Sequence, residues 1–88
     1  MKTQNSETVK ISNLIAQVTA APLQTAQHGA FTEAQMFIQL NDGRTLKVYS
    51  FNKVAHAAVS AITEHSKLVI FGKFMASDAF RMTSWKSI

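Results

Sequence analysis

The chain has 88 residues, nine Lys and Arg against five Asp and Glu, a formal charge of +4 and no cysteine. That length supports one domain with a small core rather than two, and without cysteine neither disulfides nor thiolate chemistry contribute. Packing alone must hold the fold, as a reducing cytoplasm allows. The positive surplus is moderate: it would draw in nucleic acid or an anionic surface, yet many small domains carry as much without binding either. No apolar segment is long enough to span a bilayer, and the stretch 11–21 is broken by Ser12, Asn13, Gln17 and Thr19, which makes it a poor secretion signal. The expectation is a cytoplasmic protein with no membrane partner.

Residues 1–7 are polar and aperiodic, which predicts a mobile tail ahead of a single domain over 8–88. The segment 8–21 reads as one long strand. Val9 and Ile11 alternate in one phase, whereas Leu14, Ala16, Val18 and Ala20 alternate in the other; a bulge near Ser12 and Asn13 would bring both sets inward and bend the strand. Long bent first strands let a small barrel share one strand between two sheets. Pro22 should end the ladder, and the stretch to about Glu33, with Gln27-His28-Gly29, reads as a loop. In 34–40, Met36, Ile38 and Leu40 share one face while Gln35, Phe37 and Gln39 share the other. Asp42-Gly43 is a hairpin signal, and 44–51 returns with Leu46 and Val48 inward and Thr45, Lys47, Tyr49 and Phe51 outward.

The spacing predicts a helix over 52–65. Val54, Ala55, Ala58, Val59 and Ile62 form an apolar stripe, with Lys53, His56, Ser60 and Glu64 largely opposite, and Asn52 or Ser50 is placed to cap its start. One short Ala-rich helix makes no core alone, so its stripe must close off a sheet or a barrel end. A strand over 67–75 follows, with Leu68-Val69-Ile70-Phe71 and then Gly72, whose place inside a strand marks a bend or a close backbone approach. Ser77-Asp78 supplies a turn. In the last strand, 80–88, Phe80 and Met82 lie on one side and Arg81, Thr83 and Trp85 on the other.

Strand, strand, strand, helix, strand, strand, with a long bent first strand and a glycine in the fourth, resembles the OB-fold, a mainly β five-stranded barrel. The patterns Leu68-Val69-Ile70-Phe71-Gly72-Lys73-Phe74 and Phe80-Arg81-Met82-Thr83-Ser84-Trp85 are similar to bacterial single-stranded DNA-binding proteins and the related primosomal replication protein. The resemblance implies a dimer or tetramer that lays single strands across the face of its first three strands. The sequence departs from that family in ending on a strand-like run at Ile88, with no Gly-rich linker or acidic tail, which argues against a partner-recruiting hub.

Phe37, Lys47 and Tyr49, with Phe51 beside them, fall on the outer face of the second and third strands. Aromatic rings offer surfaces on which bases stack, and a lysine alongside neutralises phosphate. The competing reading is that these rings fill a subunit interface. Lys73, Arg81 and Trp85 would extend the path, although tryptophan often anchors a core instead. Arg44 and Lys10 are placed for phosphate contacts near strand ends. His28, His56 and His65 lack metal-ligand spacing and clustered partners, so no metal or other cofactor is expected. No nucleophile turn or phosphate-cradling glycine loop marks an enzyme.

The leading expectation is a module that binds single-stranded nucleic acid, most of all DNA, with little sequence preference. The alternative is an OB-fold interaction or assembly module with no nucleic-acid ligand; fold alone does not separate them, but salt does, since counterion release makes phosphate binding salt-sensitive. The sugar-binding pentamers of secreted toxins share the helix placement, but this chain lacks the disulfide and the secretion signal usual there.

Overall fold

A computed structural model of the protein describes residues 11–29 and 31–88. Its elements are β1 (Ser12–His28), β2 (Phe31–Leu40), β3 (Thr45–Phe51), α1 (Asn52–Ala61), β4 (Lys67–Ala76) and β5 (Ala79–Ser87). The strands close into a barrel in the order β1-β2-β3-β5-β4, antiparallel throughout except where β3 meets β5. A closed five-stranded barrel with its helix between β3 and β4 is the OB-fold. The expected tail over 1–7, together with Thr8, Val9 and Lys10, lies outside the described residues.

The barrel closes because β1 belongs to both of its sides. Residues 12–17 pair with β4, and residues 16–28 pair with β2. A strand serves two sheets only if it bends, and the bend comes from extra residues opposite β2. Thr19 and Thr25 are each inserted between successive partners, and Ala21 with Pro22 together oppose Met36. Pro22 therefore does not end the ladder as the sequence led us to expect. It sits in a bulge, where no N–H is required of it, and the strand runs on through the segment read as a loop. The bulge expected at Ser12 and Asn13 is absent: residues 12–17 keep unbroken register with β4, so Ile11 stays outward at 66% exposure.

Val18, Met36, Ile38, Leu46, Val48, Leu68, Ile70, Phe80 and Met82 fill the barrel, and Ala58 and Ile62 cover one end. Each large side chain removed from water in this way contributes about 1.5–3 kcal/mol. The helix stops at Ala61, short of the expected His65. Ile62 keeps a bond from its N–H to the Ala58 carbonyl (2.9 Å) but turns extended, which drives its side chain into the core. Beyond it, the His65 N–H donates to the Val18 carbonyl (2.7 Å) and the Val18 N–H to the Ser66 carbonyl (2.8 Å), bonds with β1 that a continuing helix would forgo. Val59, expected in the apolar stripe, is 41% exposed. Neither Asn52 nor Ser50 caps the helix. Asn52 instead adopts a positive φ of 54°, and its Oδ1 accepts the Thr32 N–H at 3.1 Å. Buried Thr32 also hydrogen-bonds through Oγ1 with His56 Nε2 (3.2 Å), so two side chains of α1 hold the start of β2.

Gly72 is required by a close approach: a Cβ there would lie 1.8 Å from the Arg81 carbonyl oxygen on β5. Opposite it, β5 carries one extra residue, Thr83, between the pairs Gly72–Met82 and Phe71–Ser84. That insertion reverses which side of the sheet the rest of β5 presents.

Candidate nucleic-acid interface

Cross-strand partners project from the same face of a sheet, so the register shows which side chains meet on the outer surface. Phe37 faces Lys47 and Gln35 faces Tyr49 across β2 and β3; Tyr49 faces Arg81 across β3 and β5, and Arg81 faces Lys73 across β5 and β4. Tyr49, Arg81 and Lys73 thus form a row running around the barrel. Lys47 Nζ lies 5.8 Å from the ring centres of both Phe37 and Tyr49, joining two aromatic surfaces through one cation. Arg81, at the next position, lies over one ring, with its guanidinium carbon 4.9 Å from the centre of Phe51. Phe37 is 41% exposed, and Lys47, Tyr49 and Phe51 are half-buried, braced by neighbours yet open to solvent.

The other expected residues fall differently. Trp85 faces the core residue Ile70 and packs against the core beside α1, because the extra residue Thr83 turns it away from the face that Arg81 occupies. The strict alternation of Arg81, Thr83 and Trp85 does not hold. Arg44 sits in the β2–β3 turn, where the Leu40 carbonyl accepts the Gly43 N–H (2.9 Å) and Gly43 takes a φ of 92° that only glycine adopts easily. There the Arg44 Nε is ion-paired with Asp42 Oδ2 at 3.0 Å, and its backbone N–H donates to Asp42 Oδ1, also at 3.0 Å. These contacts, the backbone bond foremost, hold the Asp42 carboxyl below its ordinary range. Lys10 lies outside the described residues.

The sequence reading missed Phe31. It lay in the segment taken for a loop, but it opens β2 in the same phase as Phe37 and meets Phe51 with ring centres 5.5 Å apart. Glu33, paired with Phe51 across the strands, brings one carboxylate to this face, and the Gln35 amide donates to it at 2.9 Å. Among the described residues no three His, Asp or Glu side chains converge as a metal would need, and no helix is long and apolar enough to cross a membrane.

Among solved structures, the SSB domain of a Synechococcus sp. protein matches this chain with a TM-score of 0.73 over 97% of both chains, at 22% sequence identity. No known protein family and no curated protein matches the sequence. At that identity the likeness is one of fold alone, the OB-fold.

Proposed function

We propose that the protein binds single-stranded nucleic acid, DNA foremost, with little sequence preference and without catalysing a reaction. The observation that carries this is the placement of Lys47 between the exposed faces of Phe37 and Tyr49, continued by Arg81 and Lys73 along the same surface. Phe37 and Tyr49 are diagonal neighbours, which puts them about 7–8 Å apart. That is roughly twice the 3.4 Å rise per nucleotide of a stacked strand. A strand that uses both rings is therefore pulled out of its own stack, with Lys47 beside the phosphate between them. A duplex has no free base face to offer. The fold likeness to an SSB domain supports the same reading.

Titrating a fluorescent oligo-thymidine strand and a matched duplex at low and high salt tests it. The single strand alone should bind, with affinity falling steeply as salt rises. Absence of binding at low salt, or binding that ignores salt, would overturn the proposal.

A second observation favours self-assembly, on another surface. Ile15 on β1 and Ile11 just before it are exposed (47% and 66%), and half-buried Val69 and Phe71 continue the apolar surface on the outer side of β4. A second copy covering this patch would leave the aromatic face free, in keeping with a cytoplasmic dimer or tetramer.

A further inference from the structure

Where β3 passes into α1, Phe31, Phe51, Asn52 and Arg81 line a cleft of about 300 Å³ at the end of the aromatic face. We infer that this cleft is a single-base subsite that favours a pyrimidine with a keto oxygen at position 4 over one with an amine there, read by the Asn52 side-chain amide. The inference rests on the single-strand reading above and adds to it one position at which the base is read.

Three features converge there. The Phe31 and Phe51 rings meet at 36°, so they form an open wedge rather than a closed stack, and Phe31 remains 42% exposed as a surface for a base. Arg81 lies over Phe51 and faces Tyr49, which sets a cation between the cleft and the rings already described. A nucleotide leaving Tyr49 thus passes a phosphate partner before its base reaches the wedge.

Asn52 supplies the selectivity. Its Oδ1 is committed to a backbone N–H, that of Thr32, which can only donate, so the orientation of the amide is fixed. Nδ2 must then point away, and it makes no hydrogen bond among the described residues. The residue is held in a left-handed conformation that asparagine tolerates better than most. The result is a donor that has no hydrogen-bond partner among the described residues, on a side chain that lines the aromatic cleft. At position 4, thymine and uracil present a keto oxygen that can accept from it, whereas the amine of cytosine would set donor against donor.

Oligo-dT and oligo-dC of equal length make the test, because both are pyrimidines and differ at this group; mildly alkaline pH keeps cytosine unprotonated. The wild-type protein should prefer oligo-dT by about threefold or more, the worth of one hydrogen bond. Asn52→Asp keeps an acceptor for the Thr32 N–H and tolerates the same backbone, but replaces the donor by an acceptor. It should abolish or invert the ratio, while its extra negative charge lowers both affinities together and cancels. Phe31→Ala, at an exposed position, should also erase the ratio and leave residual binding through Phe37 and Tyr49. Equal binding of the two strands by the wild type, or a preference unchanged in Asn52→Asp, overturns the subsite and leaves the broader proposal standing. Failure of the wild type to bind either strand overturns both.

Discussion

Arg44 and Arg81 are both exposed and both lie close to β3, yet their surroundings prepare them for different work. In the β2–β3 turn, Arg44 is held by Asp42, which accepts from its side chain and its backbone. On β5, Arg81 lies against the Phe51 ring in line with Tyr49. A ring face attracts the guanidinium without cancelling its charge, whereas a carboxylate cancels it. Counting basic residues therefore overstates what a surface offers a phosphate. The identity of each cation's nearest partner is the better guide.

The most damaging way to break this contrast is Gly72→Ala. Its Cβ would strike the Arg81 carbonyl, and forcing β4 and β5 apart should cost on the order of 3 kcal/mol, the upper end for overpacking. For a domain of this size the melting temperature should then fall by roughly 12–24 °C, and strand binding should weaken with it as Arg81 leaves its row. An unchanged melting temperature would show that the two strands have room to separate.

The double substitution of Phe37 and Tyr49 by Ala acts on the site alone. Each stacked base is worth about 1–3 kcal/mol, so affinity for oligo-thymidine should drop at least about 30-fold while the melting curve shifts little. Unaltered binding by the folded variant would remove these rings from the site.

The finest distinction is between the arginines themselves. Arg81→Ala should lower affinity and reduce the salt slope by about one, the signature of one lost phosphate contact; Arg44→Ala should change neither at neutral pH. The pH dependence has a definite sign. Because the folded carboxyl of Asp42 is lowered from 3.8, its pairing with Arg44 is present above that value and fades as pH falls through the lowered one. Arg44 is thus occupied throughout the range in which binding is measured. Equal losses for the two alanine variants would erase the contrast.

Much of this was legible in the sequence. The order of elements, the inward sets on β2 and β3, the turn at Asp42-Gly43 and the close approach at Gly72 follow from alternation and from what glycine permits. What escaped is tied to bulges. An extra residue reverses the phase of everything after it and leaves no compositional mark. Thr83 on β5 hid the inward turn of Trp85, and the insertions around Pro22 disguised half of β1 as a loop. Phe31 was lost with that loop. Asn52 escaped for another reason: its partner Thr32 is distant in sequence, so a residue that looks like a helix cap is occupied by a strand.

The parallel contact of β3 with β5 has the fewest paired positions of any in the barrel: Lys47 with Ala79, Val48 with Phe80, and Tyr49 with Arg81. The Lys47 N–H adds one bond to the Asp78 carbonyl at 3.0 Å. This is the seam of the closed wall, and Lys47, Tyr49 and Arg81 flank it. A flexible polymer lying across those side chains would act as a stitch, resisting separation of the two edges wherever along its own length it happened to be held.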